Sequence, residues 1–411
     1  MAGSREHVFD AMVVGGGLAG LTAACLLDQS LPETASIALV APTRPDDRRT
    51  TALLQPSVDA LKSCGVWEKC EARTAPLRTM RIIDGTNRLI RAPMVDFKSL
   101  ELDLDAFGYN VENRVLAKHL LDQIAGSNRV RCFESLAAEV GIRETGLSIK
   151  LEDGTRLSTP VAIAADGRKS LLRQAAPIST RTWSYPQWAL VTNFTHTIDH
   201  QDISTEFHTE TGPFTLVPLP KSSDGKPQSS LVWVANQTIK SELEGTDEKE
   251  LSKVIERKMQ SMLGKISISG GRQIFPLSGM TATSFAKNRI LLAGEAAHVF
   301  PPIGAQGLNL GIADAVEACK LITDALNAGR DPGDASLLST YSRRRGAEII
   351  ARTGAVDLLN RSLLGSFLPI QAARSSGLYL LSQSSVLRCF AMKSGLGQLS
   401  RSDFNPFRKA G

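Results

Sequence analysis

Val13-Val14-Gly15-Gly16-Gly17-Leu18-Ala19-Gly20 stands near the N-terminus, directly after an apolar run that begins at Val8. Val8, Phe9, Met12, Val13 and Val14 suit a buried parallel strand, and Leu18 to Leu27 has the Ala- and Leu-rich texture of a helix, so the glycines fall between strand and helix. In that context the spacing reads as a dinucleotide-binding turn. Gly15 permits the tight turn out of the strand, Gly17 lets the backbone approach a pyrophosphate, and Gly20 allows the helix to pack closely on the strand. The pyrophosphate would face unpaired N–H groups and the positive end of the helix dipole. The turn alone does not choose between FAD and NAD(P).

A chain of 411 residues is long enough for two or three domains, and 42% hydrophobic with 22% charged residues is ordinary for a soluble globular protein. The six cysteines show no CxxC pair and no metal-ligand spacing, which predicts reduced thiols in a cytoplasmic enzyme. The first apolar stretch is itself the first strand, so it is not read as a signal peptide, and no apolar run reaches transmembrane length. The formal charge of +5 is unevenly placed: from Tyr341 onward 11 Lys and Arg face 3 Asp and Glu. A basic C-terminal region of this kind points to an anionic surface or to a solvated helical face.

Ser36 to Val40 reads as the second parallel strand, but Ala41-Pro42 stands where an acidic residue ordinarily bonds the ribose. Arg48 and Arg49 precede a helix starting at Pro56, and Arg114 opens a second helix running to Ile124. Val161 to Ala165 is a strand ending on Asp166-Gly167-Arg168-Lys169-Ser170, a turn whose carboxylate is expected at the carboxyl edge of the sheet, where ligands gather. Between Ser179 and Gln237 the pattern alternates, which predicts an inserted antiparallel sheet, and Asp247 to Leu263 is an amphipathic helix. Arg289 to Leu292 resumes the parallel fold and ends on Gly294-Glu295-Ala296-Ala297-His298; the rigid loop from Pro301 to Gly307 feeds a helix over Leu308 to Leu326. The rest is helical, with no internal repeat.

With these three sites in view, the sequence resembles the flavin monooxygenases of the para-hydroxybenzoate hydroxylase fold over essentially its whole length. The fingerprints occur in the family's order: the glycine turn, Asp166-Gly167, and Gly294-Glu295 extended by Ala296-Ala297-His298, Pro301-Pro302, Gly304 and Gly307-Leu308-Asn309. The resemblance implies an α/β fold: an FAD-binding Rossmann-like domain (1–178 and 281–340), an inserted antiparallel β-sheet substrate domain (179–280) and a helical basic C-terminal region (341–411). It also implies FAD as cofactor, held by Gly15, Gly17, Gly20, Arg49, Arg114, Asp166, Gly294, Glu295, Gly307, Leu308 and Asn309, with Pro302 and Gly304 near the flavin and no metal. Glu295 replaces the usual aspartate, lengthening the arm by one methylene, and His298 is expected to support its loop by hydrogen bonding rather than to act as a base.

Arg49-Thr50-Thr51-Ala52-Leu53, Gly108-Tyr109-Asn110, Glu112-Asn113-Arg114 and the basic tail look like the ubiquinone-biosynthesis hydroxylase branch. That resemblance implies a polyprenylated phenol as substrate, O2 and NAD(P)H as co-substrates, and a flavin C4a-hydroperoxide as the hydroxylating species. Partners would be an anionic inner membrane surface, reached through Leu363, Leu364, Phe367, Leu368, Leu378, Leu380, Leu381 and Leu387 with Arg361, Arg374 and Arg388, and other quinone-biosynthesis enzymes. Two rivals remain at this stage: a flavin monooxygenase acting on a soluble aromatic or polyketide, and a non-catalytic flavoprotein subunit. Nucleic-acid binding is not expected, because the tail lacks interleaved aromatics.

Overall fold

The computed structural model describes residues 6–43, 46–86, 91–302, 305–364 and 368–396, with the backbone alone for 355–364 and 368–374. Its centre is a sheet in which Val130–Phe133, Ile37–Val40, Ala11–Val14, Ala162–Ala164 and Ile290–Leu292 lie side by side in parallel, and Ala286–Lys287 closes the edge antiparallel. Met12, Val13, Ile37, Ile163 and Leu291 are fully buried. Burial on both faces is why these strands are continuous apolar runs rather than alternating ones. The helix Leu18–Ser30 is buried from Gly20 to Asp28 and packs between the sheet and the long helix Gln306–Asn327.

The N-terminal apolar run is not one strand. Glu6–Val8 pairs with Arg156–Thr159 in a separate four-stranded sheet, and only Ala11–Val14 enters the central one. The break falls at Asp10, whose carboxylate accepts hydrogen bonds from the Ser36 amide (2.7 Å) and hydroxyl (2.8 Å), and Val8 is 73% exposed. A half-buried pair of acceptor contacts at Asp10 outweighs the apolar continuity that suggested a single strand.

The second large element is an eight-stranded sheet: His298–Val299, Ile266–Ala282, Thr180–His196, Gln228–Ala235, Gly212–Leu219, Ile203–Thr209, Thr79–Asp84 and Val95–Lys98 in spatial order. It is antiparallel except where Ile203–Thr209 runs parallel to Thr79–Asp84, so earlier chain is recruited into it. Helices Gln237–Gly245 and Glu248–Lys258 cover one face around Phe194, Phe214 and Trp233. Sequence periodicity predicted one helix to Leu263. The observed helix is capped at its start by Asp247, whose carboxylate accepts from the Glu250 amide (2.8 Å), and it stops at Lys258, with Gln260 and Ser261 at positive φ in the turn that follows.

The C-terminal helices Ala335–Leu364, Leu368–Gln383 and Ser385–Gly395 lie against the body. Leu378 and Leu381 pack on Val95, and Met392 and Leu396 pack on Leu54 and Phe107. Among the described residues no helix is long and apolar enough to cross a membrane.

Candidate active site

Three chain segments distant in sequence meet where the central sheet ends. At the first turn Gly15 has φ +123°, and a Cβ there would stand 2.1 Å from the Ala165 carbonyl oxygen. A Cβ on Gly20 would stand 2.0 Å from the Gly15 oxygen, so only glycine lets helix and strand approach this closely. Gly17 caps the helix Leu18–Ser30 with no side-chain hydrogen bond and no acidic residue in the first turn. The first-turn N–H groups of a helix have no partner within it, which leaves an anion-binding end.

The third fingerprint interlocks with the first. Gly294 is left-handed (φ +59°), and a Cβ there would touch the Ala19 Cβ at 3.4 Å, while one on Gly311 would come within 3.1 Å of the Gly294 Cα. Behind this contact lies Asp314, fully buried, whose Oδ2 accepts from the Gly294 amide (3.0 Å) and is 2.7 Å from His298 Nε2. Its Oδ1 accepts from Arg345 Nε at 2.7 Å. Burial alone would raise this carboxyl, but Arg345 and His298 outweigh it and hold the group below the ordinary carboxylate range. Tyr341 adds a hydrogen bond to the Leu292 carbonyl at 2.7 Å. His298 therefore supports its loop, as its motif implied.

Glu295, the next residue after Gly294, faces the other way. Its side chain is 58% exposed and pairs with Arg168 at 3.1 Å, and its charge also acts on Arg49. Arg49 is held bidentately by Asp47 (2.8 Å to each oxygen), and Asp47 in turn accepts from Asn113 Nδ2 at 2.9 Å. Burial raises the Asp47 carboxyl, and the hydrogen bonds from Arg49 and Asn113 reverse that and lower it. Arg114 pairs with Glu112 and lies 3.9 Å from Asp46. Arg48, Arg49, Glu112 and Arg114 form one wall of a cavity of about 220 Å³ whose other wall is the large sheet, at Val191, Asn193, Leu219, Gln228 and Gln273.

Asp166 differs from its expected orientation. Its Oδ2 accepts from the Leu171 (2.8 Å) and Leu172 (3.3 Å) amides, capping the short helix Leu171–Ala175 instead of standing free at the sheet edge. The other oxygen is buried with no partner among the described residues, and burial raises this carboxyl. Asn309 is likewise committed within the protein: its Oδ1 accepts from Leu54 N (2.8 Å) and Ser57 Oγ (2.7 Å), and its Nδ2 donates to the Ala52 (2.8 Å) and Ala305 (2.6 Å) carbonyls. That leaves the backbone of Gly307 and Leu308, with no heavy atom within 4 Å of a Cβ built on Gly307, open at the start of the helix Gln306–Asn327. Pro302 is half-buried beside it, and Gly304 lies outside the described residues.

The structure thus joins Gly15, Gly17, Gly20, Gly294 and Glu295 at one sheet edge, and brings Arg49 and Arg114 to one cavity, with Arg49 within the electrostatic reach of Glu295. Sequence reasoning missed Asp314 and Arg345. A lone carboxylate among small residues, Gly311-Ile312-Ala313-Asp314-Ala315, was the available signal, and three consecutive arginines cannot share one face of a helix whose residues turn by about 100° each.

The chemistry of these parts fits FAD: a helix end without a cap, glycines whose Cβ would collide with backbone, a buried unpartnered Asp166 oxygen, and an exposed carboxylate at Glu295. Fold and site together define an FAD-dependent monooxygenase of the para-hydroxybenzoate hydroxylase fold. The chain belongs to the FAD binding domain family, which it matches over residues 8–353. Ubiquinone hydroxylase UbiL of Rhodospirillum rubrum is 28% identical over 97% of this chain and 92% of its own. The 3-demethoxyubiquinol 3-hydroxylase of Escherichia coli is 29% identical, covering 94% of this chain and 97% of its own. The crystal structure of p-nitrophenol 4-monooxygenase PnpA from Pseudomonas putida superposes with a TM-score of 0.76 at 17% identity, over 95% of this chain and 99% of that one.

Proposed function

We propose that the protein hydroxylates the aromatic ring of a polyprenylated phenol in ubiquinone biosynthesis, using FAD, O2 and NAD(P)H. The observation that carries the reading is the cleft itself: Arg49, in the wall of the cavity opposite the large sheet, is near enough to the third fingerprint to feel the charge of Glu295. The names of the two relatives above, similar along nearly their whole length, supply the substrate class.

Bound FAD supplies the oxygen-activating chemistry, so the protein needs no nucleophile. Gly15, Gly17 and Gly20 would bring backbone N–H groups to the pyrophosphate, and Glu295 would accept from the ribityl hydroxyls. Arg49 and Arg114 line the cavity, and their guanidinium groups would favour electron-rich reduced flavin there. Gly307, Leu308 and Asn309 would present backbone to the ring, Pro302 and Gly304 are proposed near the flavin, and Asp166 would offer its unpartnered oxygen to the cofactor. The large sheet forms the wall that keeps water from the reacting centre.

The C-terminal helices fit a protein that collects its substrate from a lipid surface. Tyr379, Leu380, Val386, Leu387 and Phe390 are exposed on Leu368–Gln383 and Ser385–Gly395, while Leu378 and Leu381 face the body. Arg388 is not a surface charge, since it is paired with Glu101 at 2.9 Å. Phe367 lies outside the described residues, and the side chains of Leu363, Leu364, Leu368, Arg361 and Arg374 are likewise not described. Contacts to an inner membrane surface and to other quinone-biosynthesis enzymes belong to this proposal.

The test is mass spectrometry of isoprenoid quinones and precursors in cells lacking the protein, with and without a restored copy. Accumulation of a prenylphenol short of one oxygen, relieved by the intact copy, is the expected result. An unchanged quinone pool, in cells with no other hydroxylase for the step, overturns the substrate class and leaves a soluble aromatic.

A further inference from the structure

The adenosine end of the cofactor is where this chain departs from its fold. The strand Ile37–Val40 runs into Ala41-Pro42, and a Rossmann-like fold ordinarily ends this strand with a carboxylate that accepts from the ribose hydroxyls. The next two acids along the chain are committed elsewhere: Asp46 pairs with Arg48 at 3.2 Å, and Asp47 holds Arg49 and Asn113.

The neighbouring strand supplies a carboxylate instead. Val130–Phe133 is parallel to Ile37–Val40 in a register that sets Phe133 opposite Val40, and the Ala41 amide donates to the Phe133 carbonyl at 3.0 Å. The residue that follows is Glu134, one strand over from the vacant acidic position and at the same carboxyl edge of the sheet. Its side chain turns back across that gap, for Oε2 accepts from the Thr43 hydroxyl at 3.3 Å. Adjacent strands lie about 4.8 Å apart, a separation that a glutamate side chain is long enough to cover. Glu134 is exposed and has no ion pair among the described residues, and one long hydroxyl contact leaves most of its acceptor capacity free.

We infer that Glu134, oriented by Thr43, binds the adenosine ribose hydroxyls of FAD from the adjacent strand, in place of the acid missing at Ala41. The arrangement keeps the chemistry of the usual contact and changes only the strand that provides it. A glutamate suits the longer span, and neither Ala41 at the usual position nor Pro42 after it offers a side-chain acceptor.

The inference rests on FAD as the cofactor, and titration of the unaltered protein with FAD checks that separately. The full-length protein is stripped of flavin and titrated, by flavin fluorescence, with FAD and with an FAD analogue lacking the 2′-hydroxyl of the adenosine ribose. Loss of a hydrogen bond to a charged group predicts about tenfold weaker binding of the analogue by the unaltered protein, and about tenfold weaker binding of FAD by Glu134→Ala. Combining the two changes should cost no more than either alone, because both delete the same contact. Glu134→Gln, which keeps the shape and loses the charge, should fall between. The idea is overturned if Glu134→Ala and Glu134→Gln bind FAD as the unaltered protein does, or if the losses from side chain and hydroxyl add in full.

Discussion

Two carboxylates flank the Gly294 turn and have opposite fates. Asp314 is wholly buried and takes hydrogen bonds from the Gly294 amide, His298 and Arg345, whereas Glu295 is more than half exposed and meets only Arg168 among the described side chains. The same functional group acts as scaffold where water is excluded and remains available to a ligand where it is not. A buried ion pair loses heavily when one member is removed, because the other is left charged in a poor solvent, while an exposed pair is nearly neutral for stability. The Gly294 turn therefore has a rigid, buried rear wall and an adaptable, exposed front.

Breaking the rear wall should have the largest effect. Asp314→Ala leaves Arg345 in the interior with Glu348 as its remaining carboxylate partner and is expected to lower unfolding stability by about 3 kcal/mol, measured by chemical denaturation of the purified protein. Gly15→Ala comes next: a left-handed glycine with no room for a Cβ should lose about 2 kcal/mol or more and fail to retain FAD, read from the flavin absorbance of the purified protein. Acid provides a gentler probe of the same wall. Because the folded-state carboxyl of Asp314 is depressed, its contribution is in place above the unfolded value near pH 4 and is lost as pH falls through the folded value. Stability measured from pH 6 downward should therefore fall less steeply in Asp314→Asn than in the unaltered protein.

The front wall should behave differently. Glu295→Ala is expected to change stability by no more than about 0.5 kcal/mol, yet to weaken FAD by about tenfold, as read by fluorescence titration. Equal losses of stability in Glu295→Ala and Asp314→Ala would remove the distinction between the two walls. The smallest effect belongs to Arg168→Ala, whose pair with Glu295 is exposed on both sides. Its stability should be unchanged within about 0.5 kcal/mol, and any shift in FAD affinity should shrink as salt is raised.

What could be read from the chain divides along the same line. The glycine turn, Asp166-Gly167 and Gly294-Glu295 were legible because each is a local backbone demand: a strand must end, a chain must turn without a Cβ, a helix must begin. The alternating strands from Thr180 to Ala235 were legible because one face of each packs on a hydrophobic core. Val8 was misplaced because Asp10 is held by Ser36, just before a strand that only folding brings near. The helix expected to reach Leu263 ends at Lys258, where Gln260 and Ser261 take left-handed turns that periodicity does not report.

The order of the three fingerprints, and with it the cofactor class, was determined by the sequence alone, because glycine spacing between a strand and a helix is a short-range steric requirement. The tertiary structure alone decided which carboxylate became scaffold and which stayed exposed to solvent. Asp314 and Arg345 are 31 residues apart, and the Gly294 amide, His298 and Arg345 converge on one carboxylate only when strand, loop and two helices pack together. The desolvation that makes such a group structural does not exist until the chain is folded around it.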